Sequence, residues 1–140
     1  MALTNPLPVW VPIEDDAHAV VASQQGYNLA GKLGFSKVEQ TAISIAILEV
    51  ARNIVKYADS GEVEVNYIRD NISCEVIIIA QDKGPGIPDI ELAMQDGYTT
   101  GKSLGLGLPG AKRLMDEFEI ISEPGSGTTI IMKKVKHEQR

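Results

Sequence analysis

The order of apolar and polar residues in the first part of the chain predicts one short strand followed by two helices. Val9–Ile13 is a short apolar run typical of a strand. The stretch from Asp15 to Leu33 has helical character, and Gly34 stands where a glycine commonly ends a helix. Ser36–Glu39 has the S-x-x-E pattern of a capping box, so a long helix is expected to run from here to about Ala58.

Two strands joined by a tight turn are predicted next. Glu62–Ile68 has an alternating pattern with Val63, Val65 and Tyr67 on one face, which indicates a strand with one buried face. Asp70–Asn71 is a turn signal, and Cys74–Asp82 is apolar enough to be a more deeply buried strand. The two strands should therefore pair as an antiparallel hairpin.

The last part of the chain predicts a long loop, a helix and a second hairpin. Lys83–Gly107 is rich in Gly, Pro, Thr and Asp, with one short helical turn near Ile90–Met94, and a loop of this length usually serves a function. A helix is expected from Pro109 to about Glu117. Two strands then follow, Phe118–Glu123 and Thr128–Val135. Together the elements predict an α+β fold: a two-layer sandwich with a mixed, mostly antiparallel sheet and helices on one face.

The composition indicates a single globular domain that spans residues 1–140. Its net charge of -6 argues against nucleic acid or an anionic membrane as the partner, because both would repel it. Cys74 is the only cysteine and is expected to fill the core. No secretory signal and no apolar run long enough to cross a bilayer occurs, so we expect a cytoplasmic protein. Trp10 is expected to pack in or beside the core.

The long helix carries four polar residues on one face. Glu49, Arg52, Asn53 and Lys56 fall within an arc of roughly 100° at helical spacing. They combine a proton acceptor, a neutral oxygen and two cations, a set that suits Mg²⁺ bound to a triphosphate. The plain alternative is that Glu49 only pairs with Arg52 or Asn53 along the helix.

Two glycine-containing loops favour a nucleotide. Asp82 ends a predicted buried strand, and its carboxylate would accept a hydrogen bond from the exocyclic amine of adenine. Gly84 and Gly86 would let the backbone approach a flat ligand. Gly105 and Gly107 precede the predicted helix at Pro109, whose first amides would attract phosphate. Each loop alone is a weak signal, and neither a dinucleotide fingerprint nor a P-loop is present.

Taken in order along the chain, these motifs resemble those of a known family. Glu49-x-x-x-Asn53-x-x-Lys56, Asp82-x-Gly84-x-Gly86, Gly105-x-Gly107 and Gly125-x-Gly127-Thr128 are similar to the N, G1, G2 and G3 boxes of the GHKL ATPases. The chain length, the start of the long helix and the "GLGLPGAKRLMDEF" segment are most similar to the serine/threonine kinases that switch bacterial stressosomes. The resemblance implies a Bergerat-type ATP-binding sandwich.

The resemblance also implies a role for each residue that matches a box. Asn53 would be the Mg²⁺ ligand, Lys56 would contact phosphate, and Asp82 would bind adenine with Thr128 nearby. The other expected nucleotide contacts are Gly84, Gly86, Ile87, Gly105, Leu106, Gly107 and Leu108. The roles of Arg52 and Lys102 stay open.

Glu49 separates the branches of the family. A histidine acceptor is already nucleophilic near neutral pH, whereas a hydroxyl or a water needs a base. The resemblance therefore implies an ATP- and Mg²⁺-dependent serine/threonine kinase with Glu49 as its catalytic base. Its substrates would be STAS-domain proteins in a stressosome-like complex, with a downstream phosphatase or regulator as a further partner. The alternatives are a GHKL ATPase that drives conformational change, a histidine kinase catalytic domain, and a nucleotide-dependent binding switch without kinase activity.

Overall fold

The computed structural model of the chain describes residues 5–87, 90–95 and 107–137. In chain order the described elements are β1 (Val9–Ile13), α1 (Asp16–Lys32), α2 (Lys37–Ala58), β2 (Gly61–Arg69), β3 (Ser73–Asp82), α3 (Ile90–Ala93), α4 (Gly107–Leu114), β4 (Glu117–Glu123) and β5 (Gly127–His137). Both long helices precede β2, and both short helices lie between β3 and β4.

The five strands form one sheet in the order β1-β2-β3-β5-β4. All four pairings are antiparallel, so the mixed component that the sequence led us to expect is not found among the described strands. Alternate residues of each strand point to one face, where α1 packs against β1 and α2 packs against β1, β2, β3 and β5. The two-layer α+β sandwich with helices on one face is confirmed.

Both long helices begin as their sequences predict. The Asp15 carboxylate accepts a hydrogen bond from the His18 amide at 2.9 Å and caps α1. Ser36 and Glu39 form the complete capping box of α2: the serine oxygen accepts from the Glu39 amide, and the glutamate accepts from the Ser36 amide. Gly34, at a φ of 91°, lies just after α1, as expected of a helix-ending glycine.

The core lies between α2 and the covered face of the sheet. Ile43, Ile47, Val50 and Ile54 of α2 are all buried. They meet the inward-facing residues of the strands, which include Ile13, Val63, Val65, Cys74, Val76, Ile78, Ile130 and Met132. The expectation that Cys74 fills the core is thus confirmed. Such burial is the main favourable contribution to the folding of a domain of this size.

Two expectations need correction. α4 begins at Gly107 and ends at Leu114, not near Glu117, because the Asp116 amide already donates to the Lys133 carbonyl oxygen of the sheet at 2.9 Å. Trp10 is 58% exposed, because its position in β1 faces away from the helices.

None of the helices in the described part of the chain combines the length and the apolar character that crossing a bilayer requires.

Candidate functional site

The polar stripe of α2 lies beside the start of α4, and we call the region between α2, the start of α4 and the loop after Asp82 the candidate cleft. Glu49 is buried, Asn53 one turn later is half-buried, and Arg52 and Lys56 are exposed. The burial of Glu49 contrasts with an ordinary solvated helix face, on which a carboxylate stays in water. The predicted stripe is therefore graded, from a buried carboxylate to exposed cations toward the end of the helix.

A hydrogen bond ties Glu49 to α4. Its Oε1 accepts from the Gly107 amide at 3.1 Å, across 58 residues of sequence. Gly107 is the first residue of α4, where helix amides have no partner within the helix and the helix dipole favours negative charge. This contact gives the buried carboxylate a donor. It also means that one of the amides expected to meet phosphate is here engaged by Glu49.

A second buried carboxylate lies where β3, the loop after it and the start of β5 meet. Asp82 ends β3, is only 8% exposed, and accepts through the same Oδ1 from the Gly84 amide at 2.9 Å and the Thr128 amide at 3.2 Å. Because both bonds use one oxygen, the carboxylate is held in a fixed orientation by β3, its following loop and β5. Such an arrangement suits recognition of one particular donor.

Ser122 of β4 connects the loop after β3 to the start of β5. Sequence reasoning missed this residue. Its hydroxyl accepts from the Ile87 amide at 2.7 Å and shares a hydrogen bond of 2.9 Å with the Thr128 hydroxyl. The signal was available in the strand pattern: Phe118, Ile120 and Ser122 share the covered face of β4, and a serine there interrupts an apolar series.

The glycines beside Asp82 are required by contacts inside the protein. A Cβ at Gly84 would lie 2.6 Å from the Cβ of Ala58 at the end of α2, and one at Gly86 would lie 2.6 Å from the Glu123 carbonyl oxygen. Gly86 also has a φ of 84°, which side chains rarely adopt. The two glycines thus bring the loop against α2 and β4. Their expected contact with a flat ligand stays a prediction.

Gly127→Ala is expected to destabilise the fold by about 3 kcal/mol, the sum of a strained positive φ and an overpacked contact. Gly127 has a φ of 96°, and a Cβ there would collide with the Asp82 carbonyl oxygen. Gly125→Ala is the matched control, because its φ of 82° is similar but its Cβ would meet nothing within 4 Å. It should cost only about 1 kcal/mol. Urea unfolding of both variants measures the difference, and equal losses would contradict the close approach to Asp82.

The remaining residues that the sequence predicted for the site differ in burial and in their contacts. Leu108 is 6% exposed and belongs to the core, so any contact it makes with a nucleotide would be through its backbone. The Lys56 ammonium lies 5.5 Å from the centre of the Tyr57 ring. Gly105, Leu106 and Lys102 lie outside the described residues.

The donor set fits a nucleotide-bound cation better than a metal held by protein alone. Within residues 5–87, 90–95 and 107–137, no cluster of three or more His, Cys, Asp or Glu side chains could hold a metal ion. Asn53 offers one amide oxygen at the edge of the cleft, one turn from Glu49. Mg²⁺ commonly takes only one or two protein oxygens and completes its shell with phosphates and water.

Direct contacts join four segments: α2 contacts the start of α4 and the loop after β3, and Asp82 at the end of β3 contacts the start of β5. A buried carboxylate at the end of a strand and a helix N-terminus held against α2 are features that favour a nucleotide site. Residues 38–139 match the family described as "Histidine kinase-, DNA gyrase B-, and HSP90-like ATPase", and the chain belongs to this family.

Within this family, the similar proteins include a serine/threonine kinase and an anti-sigma factor. Serine/threonine-protein kinase RsbT of Bacillus subtilis is 50% identical over 111 residues, which cover 79% of this chain and 84% of the kinase. Anti-sigma F factor of Halalkalibacterium halodurans is 36% identical over 101 residues, 69% of each chain. The crystal structure of the RsbU and RsbW domains of Rv1364c from Mycobacterium tuberculosis has the same fold, with a TM-score of 0.64 and 18% identity over 96% of this chain and 34% of that chain.

The resemblance to the GHKL ATPases and to their serine/threonine kinase branch is thus confirmed. The similarity spans the elements that carry the cleft, since the family match begins at the second residue of α2 and extends past the end of β5. The roles of individual residues in the cleft are a separate question.

Proposed function

We propose that the protein is an ATP-dependent serine/threonine kinase that phosphorylates a hydroxyl on a STAS-domain protein in a stressosome-like partner switch. The observation that carries this proposal is the buried Glu49 carboxylate, placed one turn before Asn53 and beside the first residue of α4 in a GHKL fold. A hydroxyl acceptor needs a positioned base, and Glu49 is the carboxylate placed to serve as one.

The proposed reaction transfers the γ-phosphoryl group to a serine or threonine. A bond forms between the acceptor oxygen and the γ-phosphorus, while the bond from that phosphorus to the bridging oxygen of ADP breaks. Glu49 receives the hydroxyl proton as the new bond forms. Positioning and neutralisation of charge supply the rest of the rate, as in other phosphoryl transfers.

The other residues of the cleft would hold the nucleotide. Asp82 would accept a hydrogen bond from the adenine amine, with Thr128 beside it and the Ser122 hydroxyl fixing the Thr128 hydroxyl. Asn53 would hold Mg²⁺, which neutralises the phosphate charge when it is bound. Lys56 and the segment from Gly105 to Leu108 would contact the phosphates.

Proposed partners and location follow from the branch of the family. One of the relatives is a serine/threonine-protein kinase and another is an anti-sigma F factor, so regulatory proteins are the expected partners. A STAS-domain protein supplies the acceptor hydroxyl, a downstream phosphatase or regulator is a further partner, and the cytoplasm is the place of action.

Label transfer from γ-labelled ATP tests the function directly. The purified protein, incubated with Mg²⁺-ATP and a STAS-domain protein encoded in the same genome, should label that protein, and excess EDTA should abolish the labelling. A control reaction omits the STAS-domain protein. Release of free phosphate without labelling of the partner would instead favour a GHKL ATPase. Nucleotide binding without either product would favour a binding switch.

A further inference from the structure

The face of the sheet opposite the helices carries a stripe of half-buried isoleucines. Because side chains alternate along a strand, the outward residues of β3 and β5 stand on this face. Ile79 pairs with Ile131 across the two strands, and Ile77 precedes them on the same side. In the described part of the chain no helix covers them, and Trp10 of β1 extends the surface with 58% of its area exposed.

Acidic side chains border this stripe on both sides. Glu62 and Glu64 of β2 lie along one flank, and Glu117, Glu119 and Glu123 of β4 lie along the other. One row of the register crosses the whole face in the order Trp10, Glu64, Ile79, Ile131, Glu119. The centre of the face therefore combines isoleucines with the Glu75–Lys133 ion pair, and its two flanks are acidic, with the exposed Ile121 between Glu119 and Glu123.

The basic side chain on this face does not balance the acids. Lys133 of β5 is the lysine among the described outward residues, and its ammonium lies 3.7 Å from a Glu75 oxygen and 3.9 Å from a Glu117 oxygen. Its charge is thus shared by two carboxylates. The other glutamates of the two flanks leave the face strongly negative.

We propose that this face docks an amphipathic helix of a partner protein, with an apolar stripe flanked on both sides by Lys or Arg. The acidic flanks stand on strands separated by three strand spacings, about 14 Å, and a helix with its side chains is about 10–12 Å wide. A helix lying along β3 and β5 would place its apolar stripe on the isoleucines and its cations against the glutamates.

Charge excludes a second copy of this chain as the occupant. Two such faces would oppose one set of glutamates to the other with, among the described outward residues, a single and already paired lysine on each side, and like charges across an interface are costly. An anionic membrane is repelled for the same reason. The docking surface also lies on the opposite side of the sheet from Glu49 and Asp82, so a partner could bind it while the cleft acts on a substrate.

Because Trp10 is the sole tryptophan, its fluorescence reports binding at this face. Trp10 emission is recorded while the full-length protein is titrated with a synthetic helix of about 18 residues, long enough to span roughly 27 Å. The peptide has a leucine stripe flanked by lysines. Two control peptides replace every lysine by glutamate or every leucine by serine. The lysine–leucine peptide should shift the emission to shorter wavelength and saturate, whereas neither control should do so.

Matched protein variants separate this surface from general attraction to a negative protein. Glu64→Lys combined with Glu119→Lys should weaken peptide binding by about tenfold or more, since it reverses one charge on each flank. Glu14→Lys combined with Asp16→Lys changes the net charge equally at the start of α1, away from the two acidic flanks, and should leave binding unchanged. Glu119→Lys alone, at an exposed edge, should give a smaller loss if the double variant folds poorly.

Three outcomes would overturn the proposal: no emission change with the lysine–leucine peptide, equal losses in the two double variants, or an emission shift that depends on protein concentration without peptide. The last would show a second copy on the face. No ATP is present in this titration, so its outcome does not depend on the proposed kinase activity.

Discussion

Glu49→Gln is expected to slow phosphoryl transfer to the STAS-domain substrate by roughly 10²–10⁴-fold, the usual contribution of a positioned general base. A glutamine keeps an oxygen that can accept from the Gly107 amide, the contact that Glu49 makes at 3.1 Å. It cannot receive the acceptor proton. Initial rates of labelling under saturating Mg²⁺-ATP measure the loss, and affinity for a fluorescent ATP analogue should change little.

The comparison with Glu49→Ala separates two roles of the same carboxylate. The alanine removes both the proton acceptor and the partner of the Gly107 amide at the start of α4. If Glu49 is the base, both variants should lose rate to a similar extent. If the glutamine variant keeps full rate while the alanine variant is slow, Glu49 would act by positioning α4, and its assignment as the base would be wrong.

Asp82→Asn is expected to weaken ATP binding by about 10–100-fold, because a hydrogen bond to a charged group contributes about 1.5–3 kcal/mol. The asparagine retains one oxygen for the Gly84 and Thr128 amides that Asp82 Oδ1 now accepts from, so the fold should be kept. Its amide nitrogen, however, presents a donor to the adenine amine. Calorimetric titration with a non-hydrolysable ATP analogue measures the change.

An inosine nucleotide makes this test specific to the base. Inosine carries an oxygen where adenine carries its amine, so the asparagine variant should regain affinity for it relative to wild type. Asp70→Asn is the control, because Asp70 Oδ1 also accepts two backbone amides, from Ile72 and Ser73, but in an exposed turn. Those bonds hold the pKa of the Asp70 carboxyl below its usual value. Equal losses for both nucleotides would contradict the role of Asp82 in reading adenine.

Local sequence signals predicted the helices well. The capping box of Ser36 and Glu39 is complete, and Gly34 follows α1 in the conformation expected of it. Both features depend on residues within one turn of each other, so a short stretch of sequence is enough to predict them. The antiparallel hairpins were similarly legible because alternation and turn residues lie close together.

Long-range contacts were beyond the reach of the same reasoning. The Glu49–Gly107 hydrogen bond joins residues 58 positions apart, and nothing in either segment specifies the other. Ser122 was overlooked because its strand was read for its apolar residues, although its hydroxyl links Ile87 to Thr128. The sequence suggested only that Gly84 leaves room for a ligand. In the structure the Ala58 side chain occupies the space that a Cβ at Gly84 would take.

The exposure of Trp10 shows a further limit of apolar patterning. Val9–Ile13 is apolar at nearly every position, so alternation did not indicate which residues face the helices. In the structure Val11 and Ile13 are buried while Trp10 points to the open face of the sheet. An exposed tryptophan on the same open face as half-buried isoleucines marks a surface to be covered, which is the basis of the proposed helix-docking face.

The chemical stability of the transferred phosphate tests the central claim most directly. The STAS-domain protein is labelled by the wild-type protein and by Glu49→Gln, and the product is then treated with acid and with alkali. Label that survives acid, is released by alkali, and is strongly reduced with Glu49→Gln is the result expected of a serine/threonine kinase with a carboxylate base. Label that is lost in acid would mean phosphohistidine, and would contradict both the hydroxyl acceptor and the role proposed for Glu49.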